Sequence, residues 1–99
     1  MLTFVVIDIE MPTISIFYGI IVRMFFMDNK EHKFPHIHIE YQGNNAVIGI
    51  PDGNLIAGSF PSSQMKLVQA WIEIHKDELM ADWKLAVEGQ NVFKIEALK

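Results

Sequence analysis

Apolar and polar residues alternate through His36–Tyr41, so in a strand His36, His38 and Glu40 share one face and Ile37, Ile39 and Tyr41 the other. The isoleucines and tyrosine suit a buried face, which assigns the two imidazoles and the carboxylate to the open one. The tetrad Gln42-Gly43-Asn44-Asn45 turns the chain into a further apolar run, residues 46–50. Pro51-Asp52-Gly53-Asn54 then turns it into residues 55–59, because proline presets φ and glycine accepts positive φ. Upstream, residues 20–26 read as a strand entered through a corner at Gly19, and residues 27–35 as a polar loop. Connections this short predict an antiparallel meander. Ile21, Arg23 and Phe25 alternate with Val22 and Met24, so one register places Arg23 beside the histidines.

The period changes after Ser62. Leu67, Val68, Trp71, Ile72, Leu79, Trp83 and Ala86 recur at three- and four-residue spacing, a helical stripe through residues 62–88. Pro61 stands where a helix start tolerates proline, and Gly89 is a natural terminator. A straight helix of that span is about 40 Å long at 1.5 Å per residue. Asp77 suits the cap of a second helix, which predicts a kink or break near Lys76. Residues 91–98 read as a last edge strand. The fold class is therefore α+β: a small antiparallel sheet of three to five strands, covered on one face by a long or broken C-terminal helix. Residues 11–99 form a single domain. Residues 1–10 stand apart as an extension: LTFVVIDI alternates like a strand, yet Met11-Pro12-Thr13 also looks like a chain beginning.

Composition narrows the function. At 99 residues, with 51% hydrophobic and 20% charged positions, the chain suits one folded core. With no cysteine there are no disulfides, thiolate metal sites or cysteine nucleophiles, which fits a reducing compartment. The net charge of −4 and a single arginine, Arg23, leave RNA without support from overall charge, although Lys30 and Lys33 put a local basic patch near the histidines. The opening apolar run is too short to cross a bilayer and lacks the basic start of a signal peptide. The expected location is cytoplasmic, with no membrane partner.

Three chemistries suit the histidines. His-x-His on a strand, with His32 folding back from the loop and Glu40 beyond, presents ligands for a divalent metal. An imidazole that titrates near neutrality suits general acid–base work, as in RNA cleavage, where it takes the 2′-hydroxyl proton while Arg23 or Lys33 holds the phosphate. A polar strand face also suits a protein-binding or dimerisation surface. Alternation on a half-exposed strand needs no function at all. His75 falls on the apolar helix stripe and reads as a packed residue with a satisfied ring nitrogen; Trp71 and Trp83 read as core anchors, and Asp77, Glu78 and Asp82 as a solvated helical face.

The segment MPTISIFYGIIVRMFF, followed by H-x-x-P-H-x-H at His32, Pro35, His36 and His38, resembles a family of small bacterial proteins, domain of unknown function 4160. The later pattern of Leu67, Val68, Trp71, His75, Leu79 and Trp83 is similar to that family's helix, so the likeness runs from Met11 to near Leu98. The loop 30–34 is less proline-rich than the family pattern, and residues 1–10 depart from it. The resemblance implies a partner protein encoded by a neighbouring gene, in a toxin–antitoxin-like arrangement. It also singles out His32, His36 and His38. A weaker structural similarity is to the HicA-type mRNA interferases, which also place a histidine at the start of a hairpin; their first helix and their basic charge are missing here. A cupin barrel leaves no room for 27 helical residues.

The leading expectation is one component of such a pair, with His32, His36 and His38 as a patch on the open sheet face. As an RNA-cleaving site, His36 or His38 is the general base, His32 the general acid and Arg23 the phosphate contact. The alternatives are a non-enzymatic binding module or homodimer, and a metal site of His32, His36, His38 and Glu40.

Overall fold

The computed structural model describes residues 12–25 and 34–99. Among these residues five strands, β1 (Thr13–Phe17), β2 (Ile20–Arg23), β3 (His36–Tyr41), β4 (Asn44–Gly49) and β5 (Leu55–Gly58), precede one helix, α1 (Ser62–Val87). The strands lie side by side in chain order, each antiparallel to the last. Two hairpins close on two residues each. Tyr18-Gly19 and Gln42-Gly43 all take positive φ, the turn whose twist matches that of the flanking strands. The meander and the α+β architecture agree with the pattern of the sequence.

Alternation decides what is buried. Phe17, Ile20, Val22, Ile37, Ile39, Ala46 and Ile48 form the packed face of the sheet. Val68, Trp71, Ile72, Leu79 and Ala86 of α1 complete that core. Trp71 and Phe17 meet at 5.2 Å between ring centroids. Both tryptophans are core anchors, as their spacing suggests.

At 26 residues α1 is about 39 Å long, whereas a six-residue strand spans about 20 Å, so the helix overruns the sheet. It bends where a kink was expected: His75 has φ −113° and ψ 22°, one position before Lys76. Its ring packs on Trp71 and its Nδ1 pairs with the Glu78 carboxylate, so His75 is the satisfied, partly packed residue that its position implies. The C-terminus closes as a Schellman motif. Gly89 sits at φ 77°, its N–H bonds the Ala86 carbonyl at 3.1 Å, and Gln90 N–H bonds the Leu85 carbonyl at 2.8 Å.

Four details differ from the sequence reading. β1 occupies Thr13–Phe17, where no strand was assigned. β2 ends at Arg23 rather than at residue 26. Residues 90–99 form no strand; they run as a strap held by single bonds, Phe93 N–H to Asp82 Oδ1 (2.9 Å), Ile95 N–H to the Ile14 carbonyl (2.8 Å) and the Trp71 indole N–H to the Glu96 carbonyl (2.8 Å). Asp82, placed above on a solvated face, is only 3% exposed because that strap covers it. The extension 1–10 and most of the loop carrying Lys30, His32 and Lys33 lie outside the described residues.

At the far edge, β5 approaches β4 so closely that a Cβ on Gly58 would lie 2.2 Å from the Asn45 carbonyl oxygen. Gly58 also has φ 82°, so this crossing admits glycine alone.

Candidate functional site on the uncovered sheet face

The strand register assembles the site. Arg23 of β2 lies opposite His38 of β3, His38 opposite Val47 of β4, and Val47 opposite Ala57 of β5. One step along, Ile16 faces Ile21, Ile21 faces Glu40, and Glu40 faces Asn45. These two rows make up the face away from the core. The arginine does join the histidine strand, as alternation allowed.

Arg23 Nε lies 3.6 Å from Glu40 Oε2, a diagonal pair with side chains 25% and 40% exposed. Nε itself is buried and makes no hydrogen bond, so the pair is loose. Phe25 stacks on the His38 imidazole at 4.0 Å between centroids and 14° between planes. A cavity of about 260 Å³ opens here, lined by Arg23, Phe25, His38, Glu40, Val47 and Ala57 among others. Phe25 was not singled out from the sequence, though its two-residue spacing from Arg23 carries the signal.

His36 behaves differently from His38. It shares the alternation, and its ring meets His38 edge-on at 5.2 Å, but it is only 1% exposed. Trp83, carried past the end of the sheet by the second half of α1, packs 4.9 Å from it. Its Nδ1–H donates to the Phe34 carbonyl at 2.8 Å. His36 is thus an internal residue rather than part of an open face, because the helix outreaches the strand on which alternation alone placed it. His38 and Glu40 keep the exposure expected of them.

Among the described residues no three histidines, aspartates or glutamates converge to hold a metal ion. Of the proposed ligand set, Glu40 is engaged by Arg23 and His36 by Phe34, while His32 is outside the described residues. Asp82 sits in an altered environment. Burial pushes its carboxyl above the usual range, with Glu78 nearby adding to the rise, while the Phe93 N–H works against both. It lies under the strap and belongs to the core rather than to the site. Among the described residues no helix is long and apolar enough to cross a membrane.

No curated protein and no solved structure matches this sequence. A family model does: domain of unknown function (DUF4160) matches residues 19–84, from the turn of the first hairpin through most of α1. That stretch is 66 of the 99 residues (84 − 19 + 1) and contains Arg23, His36, His38 and Glu40. Covering two thirds of the sequence, the match makes this chain a member of the DUF4160 family.

Proposed function

We propose that the chain is a non-enzymatic binding module, one component of a toxin–antitoxin-like pair, whose working surface is the sheet face that α1 leaves uncovered. The observation that carries this reading is the composition of that face. Arg23, His38, Glu40 and Asn45 lie beside apolar side chains, of which Ile16 is 58% exposed and Ile21, Phe25, Val47 and Ala57 are partly exposed. Accessible apolar side chains mixed with a few polar ones are the chemistry of an interface. The alternative of a histidine pair working on a polymer is weakened by the burial of His36 and by Glu40, which offsets the charge Arg23 would offer a phosphate. The pairing with a second protein rests on the family's gene arrangement.

The test is association of the purified chain, with itself by light scattering and with the neighbouring gene's product by co-purification. Val47→Asp puts a charge in the middle of the face and is expected to abolish association while leaving the circular dichroism unchanged. Association that survives in folded Val47→Asp removes the reading.

One observation favours a second reading. Arg23 and His38 stand opposite each other at the mouth of the cavity, a cation beside an imidazole. In RNA cleavage His38 would be the base, His32 the acid and Arg23 the phosphate contact, with His36 packed edge-on to hold the His38 ring. Cleavage of RNA by the wild type that is lost in folded His38→Ala would favour this reading over the first. Cleavage unchanged in that variant would remove it.

A further inference from the structure

We propose that the occupant of the uncovered face is a second copy of this chain, docked about a two-fold axis that brings Arg23 of each copy to Glu40 of the other. The inference rests on the binding reading above and specifies the partner. A two-fold contact is isologous, so the surface must complement itself. This face does: its cation and its carboxylate lie side by side, one register step apart, and rotation of one copy onto another sets each sign against its opposite.

The pair within one copy is unfinished in a way that suits such a contact. At 3.6 Å it is longer than a hydrogen bond, and both side chains stay partly exposed, at 25% and 40%. Two arginines and two glutamates closing on each other would shorten these contacts. The apolar ring of Ile16, Ile21, Phe25, Val47 and Ala57 would exclude water around them, which strengthens charge-assisted hydrogen bonds.

Charge also selects this face over the other side of the molecule. The chain carries −4. Outside the core, helix α1 bears Lys66, Lys76 and Lys84 against Glu73, Asp77 and Glu78, and Glu88 at its C-cap makes the balance 3 − 4 = −1. Two helical sides would repel each other. Among the described residues the two rows of the sheet face carry one charge of each sign, and docking through them places the acidic helices on the outside of the dimer.

The experiment is sedimentation velocity of the full chain across the micromolar range at low salt, with circular dichroism as the check on folding. The wild type is expected to move from 11.4 kDa to twice that mass as concentration rises. Glu40→Arg and Arg23→Glu are each expected to stay monomeric, since each then sets like charges against each other. An equimolar mixture of the two variants is expected to recover the dimer, because each supplies the sign the other lacks. A wild type that is monomeric at every concentration overturns the proposal, whether its own first residues or the neighbouring gene product covers the face instead. A wild-type dimer that persists in both variants overturns it too, by locating the interface elsewhere. In either case, loss of the neighbour's co-purification in Val47→Asp would leave the broader binding reading standing.

Discussion

Asp82 is buried with one hydrogen bond to spend on two oxygens: Oδ1 accepts from Phe93 N–H and Oδ2 has no partner. Its carboxyl titrates higher in the folded chain than in the unfolded one. Below the unfolded value both states are protonated and burial exacts nothing; as pH rises through the folded value, ionising a buried group lowers stability. Wild type is therefore expected to lose stability relative to Asp82→Asn as pH rises above the ordinary carboxylate range of about pH 4, a trend that urea unfolding across pH measures. A difference that is flat or grows the other way would remove the assignment. Asp82→Ala strands the Phe93 N–H and is expected to cost about 1–3 kcal/mol at low pH, and less as pH rises and the wild-type carboxyl ionises. The same residue shows what single positions conceal. An acid in a helix rich in acids reads as solvated, and nothing local announces that the strap returns over it. His36 misleads for a related reason, since alternation assigns a side chain its face but not what packs beyond the strand's end. His38 and Glu40 were readable because they lie mid-strand, where alternation suffices, and Arg23, last in β2, because the register sets it opposite His38.

Among the elements, α1 depends most visibly on its ending. Gly89 holds the left-handed conformation that lets Gln90 and Gly89 bond back to Leu85 and Ala86. Gly89→Ala is expected to cost about 1–2 kcal/mol, since a Cβ in that conformation is crowded by the carbonyl that follows. Chemical denaturation reads this directly, and an unchanged midpoint would mean that the cap adds nothing to stability. Most elements were visible in advance because their punctuation is chemical. Glycine marks the turns, proline and glycine bracket the helix, and the apolar period switches from two to about 3.6. Two elements were not. Thr13–Phe17 follows directly on Met11-Pro12, which resembles a chain beginning, and its bulge between Thr13 and Ser15 breaks the alternation that would reveal a strand. The last ten residues carry apolar side chains suited to a strand, yet they bond to a helix side chain, an indole and one carbonyl instead of to a ladder. No pattern within the segment specifies such partners.

At the scale of the whole molecule, the strap joins what the meander leaves separate. Every strand pairs only with its neighbours in sequence, whereas Ile95 bonds Ile14, 81 positions away (95 − 14). Ile95 is buried, so Ile95→Ala is expected to cost about 2–4 kcal/mol. That arrangement also orders events in time. Hairpins close short loops within microseconds, and a sheet made only of hairpins can grow one turn at a time. The Ile14–Ile95 contact has to wait until both the sheet and the helix exist. A clasp made last is absent from the folding transition state, so its loss should raise the unfolding rate and leave the folding rate nearly unchanged. Stopped-flow kinetics of Ile95→Ala tests this, and a slowed folding limb would place the clasp in the nucleus instead. The strap thus acts less as a builder of the fold than as the brake on its undoing.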